Sequence, residues 1–180
     1  MRRTKTVAVT GAAVLSAALC AGGAVAAETG ASASATPRCD TSDLSVSLSD
    51  GGQAGSQSGM SHAGQFLRFR NTGSGTCALY GYPGLGLEDA AHKPLKTTAA
   101  WGNTYFTPNS GKHTVTLKSG QSAWADLAWT QTGADDAAKS QYLEVTPPGA
   151  TTHRTLAFER VVDGGTLQVT ALSSTVPHIG

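Results

Sequence analysis

The sequence predicts an all-β fold, an antiparallel two-sheet sandwich of immunoglobulin-like type held by one disulfide. Three observations predict it. Apolar residues alternate with polar ones at a period of two in eight or nine short stretches, with almost no helical period. Clusters of Gly, Pro, Asn and Ser separate those stretches, and the chain carries 22 glycines. Finally, two cysteines remain once an N-terminal export signal is set aside, enough for a single bridge.

Residues 1–26 read as that signal. Arg2, Arg3 and Lys5 form a positive start, Val7 to Val25 is small and apolar, and Ala24-Val25-Ala26 fits a small-x-small cleavage site. The segment is too short and too rich in Gly and Ala for a membrane anchor. Thr4-Lys5-Thr6 lacks the apolar pair of twin-arginine signals, and Leu19 is too large for a lipobox before Cys20. Cleavage leaves 154 of the 180 residues, the size of one domain. It also removes three of the 13 basic residues, leaving 10 against 12 acidic ones, a formal −2. Nucleic acid is therefore not an expected partner. No later stretch is apolar enough to span a bilayer. Residues 27–37 are an Ala/Ser/Thr-rich leader expected to be flexible. Residues 38–173 form the sandwich, and 174–180 read as a loose tail.

Cys20 leaves with the signal, so Cys39 and Cys77 pair in an oxidising compartment. The closed loop spans 38 positions, which the chain-entropy relation values at about 4 kcal/mol. A metal or nucleophilic cysteine would call for a neighbouring histidine or a third cysteine, and neither is near.

The strands follow in order. In Asp43 to Ser49, Leu44, Val46 and Leu48 face in and three serines face out. Asp50 to Gly64 is a long Gly/Ser/Gln connection containing His62. The central stretch runs from Gln65 to Leu87. Leu67 and Phe69 alternate with Arg68 and Arg70, Asn71 to Gly75 turns, and Cys77 and Leu79 resume. Gly81-Tyr82-Pro83-Gly84 turns again, and Leu85 and Leu87 open a third strand. Short connections predict an antiparallel meander. A short strand is expected within Leu95 to Thr98.

Ala99 to His113 is a loop bearing Trp101, Tyr105 and Phe106. Its aromatics either stack on a ligand or cap the core. Thr114 to Leu117 and Ser122 to Trp129 form a hairpin around Lys118 to Gln121. Its second strand points Ala123, Ala125, Leu127 and Trp129 inward, and Trp124 lies on the other face with Asp126. A tryptophan out of phase is exposed for binding or covered by a further layer. Ala134 to Lys139 suggests a helical turn. Gln141 to Thr146 is a strand ended by Pro147-Pro148-Gly149. Thr155 to Phe158 and Leu167 to Leu172 are the last strands, around Asp163-Gly164-Gly165.

Several quoted runs occur in a telling order. They are Cys39-x3-Asp43-Leu44-Ser45-Val46, Phe69-Arg70-Asn71-Thr72-Gly73 through Cys77-x-Leu79-x-Gly81-Tyr82-Pro83-Gly84, Leu117-x2-Gly120-Gln121-Ser122-Ala123, and Val145-Thr146-Pro147-Pro148-Gly149. Together they resemble the family called domain of unknown function 4232, of secreted and envelope proteins in high-GC Gram-positive bacteria. The resemblance covers about Pro37 to Leu172. It implies an all-β secreted domain with no assigned activity and supplies no functional residues. It also implies, for many members, a second cysteine pair late in the domain. The matching places near Ser140 and Asp163 hold none, which leaves the late hairpin without a staple.

The five histidines, His62, His92, His113, His153 and His178, form no H-x-x-x-H or H-x-H pair. G-x-S-x-G is absent, Asp135-Asp136 lacks a spaced acidic loop, and the glycines sit in turns rather than in a phosphate loop. No catalytic, cofactor or metal residue is expected. The expectation is a secreted or wall-associated, monomeric, non-catalytic module that binds a wall polymer, glycan or extracellular protein. Trp101, Tyr105 and Trp124 are its candidate contacts. A secreted hydrolase with a loop-built site is the alternative, followed by a protease inhibitor using Asn103 to Lys112.

Overall fold

In the computed structural model, residues 35–52 and 57–180 are described; the signal expected over residues 1–26, and 27–34 of the leader, lie outside them. Among the described residues, twelve strands form three sheets around one core. They are β1 (Leu44–Ser49), β2 (Ser58–Gly59), β3 (His62–Asn71), β4 (Cys77–Tyr80), β5 (Gly84–Glu88) and β6 (Pro94–Leu95). Then come β7 (Thr98–Trp101), β8 (Thr114–Leu117), β9 (Ser122–Thr130), β10 (Ala138–Thr146), β11 (Arg154–Val162) and β12 (Thr166–Val169). The largest sheet has the order β1-β3-β9-β12-β7, with β2 on the start of β3. The second has the order β11-β10-β5-β6, and the third pairs β4 with β8.

The alternation read from the sequence places the core. Leu67 and Phe69 of β3, and Ala123, Ala125, Leu127 and Trp129 of β9, are buried on one side. Leu87, Leu143, Val145 and Phe158 of the second sheet, and Leu79, Val115 and Leu117 of the third, join the same cluster. Trp129 meets Phe158 edge-on at 5.0 Å, so rings from different sheets interlock.

The all-β prediction with one bridge holds, but the connectivity differs from the expected meander. β3, β4 and β5 pair with none of one another and go to three different sheets. The physical reason is burial. Laid side by side, the three strands would leave one wet apolar face. Split between sheets, the inward residues of β3 and β4 enter one core. Asn71 makes the first crossing. Its Nδ2 donates to the carbonyls of Gly75 (2.8 Å) and Leu117 (3.0 Å), and its Oδ1 accepts from Gly73 N–H (3.0 Å). The expected hairpin of 114–117 with 122–129 splits for the same reason: β8 pairs with β4, and β9 with β3 and β12.

One pair is parallel, β12 with β7, from Thr166↔Thr98 to Val169↔Trp101. β7 reaches its partner through a long connection rather than a tight turn, so hairpin geometry does not set its direction. The strand expected within 95–98 is instead two short ones, β6 and β7, and Trp101 ends β7 rather than sitting in the loop. His62 likewise opens β3 instead of lying in a connection. Met60 and Ser61 take positive φ (51° and 64°) at the hairpin tip before it.

The helical turn expected at 134–139 is cut to one hydrogen-bonded turn, Ala137 N–H donating to Ala134 O (2.9 Å), because β10 starts at Ala138. Asp163 accepts the N–H groups of Thr132 (2.7 Å), Gly133 (3.1 Å) and Ala134 (3.3 Å). The late hairpin, without a second bridge, is paired from Ala138↔Val162 to Val145↔Arg154. Buried Ser140 donates to Tyr142 O (2.8 Å) at its irregularity. Cys39 and Cys77 are bonded, with Cα atoms 4.8 Å apart. Cys39 N–H donates to Ala78 O and Ala78 N–H to Pro37 O, so the bridge holds the entering chain along β4. At the other end, Ser173 pairs with Trp124, and Gly180 N–H donates to Phe106 O (3.0 Å).

Candidate functional site

Trp101 is 59 % exposed. It shares register with Val169, whose side chain enters the core. Its ring therefore leaves the edge strand on the core side and meets Tyr82, stacked at 5.4 Å between centroids and 7° between planes. Tyr82 is itself held. Its hydroxyl accepts from Asn109 Nδ2 (2.7 Å), and Asn109 Oδ1 accepts from Ala171 N–H (2.9 Å). Lys112 Nζ stands 5.7 Å from the Tyr82 ring centre, within cation–π reach.

Tyr105 lies on the opposite side of the large sheet. Its N–H donates to Oε1 of Gln168 (2.7 Å), the residue between the inward Leu167 and Val169. Its ring stacks on His62 at 3.8 Å and meets Phe106 edge-on at 5.1 Å. The neighbouring Met60 is 82 % exposed. Trp124 is half-buried, with the Arg68 guanidinium 5.3 Å from its ring centre, and its backbone is paired with Ser173. Thr130, the partner of His62, is six residues further along β9, about 20 Å away. The three candidate aromatics thus occupy three separate places and line no common cleft.

The outer face of β9 holds a side chain that sequence reading placed without a role. Asp126 is fully buried. Its carboxylate accepts from Thr104 Oγ1 and Gln57 Nε2, and its N–H donates to Thr170 Oγ1 (2.9 Å). Burial pushes its carboxyl above the usual range, opposed by the hydrogen bonds from Thr104, Gln57 and Thr107. The group ties the 102–113 loop to the sheet. Asp163 is shifted the other way, held down by the Thr132 hydroxyl first and then by the amides it caps.

Two histidine–carboxylate pairs stand elsewhere. His92 Nδ1 is 2.8 Å from Glu88, with its ring on Tyr142 at 4.1 Å, and His153 Nε2 is 3.0 Å from Glu144. Among the described residues no group of three His, Cys, Asp or Glu is placed to hold a metal ion.

A family model described as "Domain of unknown function (DUF4232)" matches residues 39–173. The chain belongs to the DUF4232 family. The match runs from the first bridge cysteine to the pairing of Ser173 with Trp124, so the DUF4232 domain is the folded unit described above. No curated protein and no solved structure matches the chain.

Sequence reading missed Tyr82 as the neighbour of Trp101, and Lys112 as the neighbour of Tyr82. Tyr82 sits in the Gly81-Tyr82-Pro83-Gly84 run, where its neighbours signal a turn and nothing marks the ring. An aromatic between turn formers, too large for a tight turn's needs, was the available signal.

Proposed function

We propose that this chain is a secreted, non-catalytic module that binds a saccharide of the cell envelope through Trp101. One observation carries the reading: a large indole stands exposed on a rigid edge strand, its plane set by Tyr82. A flat ring held in place loses little freedom on binding, and sugar C–H faces are complementary to it. The bridge supports an oxidising destination, and recovery of the chain from medium with Ala27 as its first residue would test export.

Binding is tested with the full oxidised chain on a glycan array, followed by titration of captured sugars. Trp101→Ala is expected to weaken binding about tenfold or more, as for a buried aromatic anchor. Tyr105→Ala, on the other side of the sheet, is expected to leave it unchanged. Equal affinity of Trp101→Ala and the parent chain, or an array without captured sugar, would remove the reading.

A further inference from the structure

A cleft of about 350 Å³ lined by Tyr80, two residues before Tyr82 in the chain, is left unused by the saccharide reading. Leu79 and Tyr80 of β4, Thr114 of β8, Pro148, Gly149 and Arg38 line it. The volume falls in the range of small-molecule sites. Tyr80 is 59 % exposed and sits in register with Thr114.

The two places adjoin along the chain. Gly81 alone separates Tyr80 from Tyr82, and Lys112, whose ammonium stands off the Tyr82 ring, passes 3.8 Å from the position a Gly81 Cβ would take. Two residues on, Thr114 enters the cleft. The chain thus leads from the cleft lined by Arg38 and Tyr80 to Tyr82, whose ring meets Trp101 and Lys112.

Arg38 lies against the turn that ends β10. Gly149 has φ +73°, and a Cβ there would lie 3.2 Å from Arg38 Nη1 and 3.3 Å from Cδ; glycine leaves room for the guanidinium. Its chain neighbour Cys39 is fastened to Cys77. Among the described residues no acidic group pairs with Arg38 or Lys112; the ion pairs are those of His92 and His153. An exposed guanidinium without a hydrogen-bond partner among the described residues is suited to a bidentate carboxylate.

We infer that the cleft takes a carboxylated sugar unit, its carboxylate on Arg38 and its ring on Tyr80, while the adjoining unit lies on Trp101. The inference rests on the saccharide reading and adds a charge requirement to it. A uronic-acid-type oligosaccharide fits this surface; a neutral glycan engages the aromatics and leaves both cations unpaired.

The test uses the full oxidised chain and three probes in calorimetric titration: a glucuronate-containing oligosaccharide, the same oligosaccharide with its carboxyls reduced to alcohols, and a glycerol-phosphate oligomer. The acidic sugar is expected to bind about tenfold tighter than the reduced one, the value of one charge-assisted pair. Arg38→Gln is expected to erase that difference and leave the reduced sugar's affinity unchanged; Arg38→Lys restores part of it. Equal binding of acidic and reduced sugars by the parent chain would overturn the inference and leave the Trp101 reading standing. A preference unaltered in Arg38→Gln, or tighter binding of the phosphate oligomer, would overturn the carboxylate assignment. Binding of none of the three overturns the inference, while the reading beneath it is decided by the array.

Discussion

Asp126 is the residue whose environment departs furthest from what its neighbours in sequence suggest. It sits on the outer face of β9, the side read as facing away from the core, yet it is fully buried under the 102–113 loop. Its raised pKa has a direct consequence. An unfolded Asp titrates near pH ~3.9, so above that the unfolded chain has lost the proton that the folded chain still holds. Its contribution to stability is complete below that pH and is lost as pH rises through the higher folded value. Denaturant unfolding from pH 3 to 8 is therefore expected to show the parent chain losing stability relative to Asp126→Asn as pH rises. Parallel curves would contradict the shift. The sequence held a partial signal here: a carboxylate beside an out-of-phase tryptophan. It did not show Thr104 and Gln57, which arrive from distant segments. Trp101 was legible as a candidate contact, but its support was not, because Tyr82 reaches it only when two sheets are brought together.

At the scale of elements, the connections carry more information than the strands. The strand segments were readable because a half-buried strand alternates whatever it pairs with. Partners were not readable, since each strand's pattern is satisfied equally by a neighbour in its own sheet or by one across the core. Asn71 shows how the choice is enforced, because one buried amide satisfies Gly73, Gly75 and Leu117 at the crossing from β3 to β4. Asn71→Ala leaves those groups without it and is expected to cost about 2 kcal/mol in chemical denaturation; a change under about 0.5 kcal/mol would show that the crossing stands without it.

The turn before β12 is enforced by space. Gly165 has φ +68°, and a Cβ there would sit 2.0 Å from the carbonyl oxygen of Lys96. Gly133 has φ +76° with nothing within 4 Å. Gly133→Ala is expected to cost about 1 kcal/mol from backbone strain alone. Gly165→Ala should cost at least ~2 kcal/mol, because backbone must move. Equal losses in thermal unfolding would refute the close approach.

For the whole molecule, the bridge and the shared core do different work. The bridge ties the entering chain to a two-stranded sheet, which alone is marginal in water. Replacing Cys39 and Cys77 with Ala is expected to remove about 4 kcal/mol, the entropy of a loop this long, against a typical net stability of ~5–15 kcal/mol. Urea unfolding of the paired variant checks this, and a loss below about 1 kcal/mol would show that the bonds Ala78 N–H to Pro37 O and Cys39 N–H to Ala78 O hold the segment unaided. The late hairpin, which lacks a covalent tie, is held by its ladder and by Asp163 across the base of the loop.

The chain's order of residues was enough to determine an all-β domain, its single bridge, most strand positions and the inward set of each. Those follow from local alternation, turn chemistry and cysteine count, which act over a few residues. Only the tertiary structure decided which strands share a sheet, that β7 runs parallel to β12, that Tyr82 meets Trp101 and Lys112, and that Arg38 and Tyr80 line one cleft. Such outcomes depend on many strands competing for one core, and no stretch of sequence contains that competition.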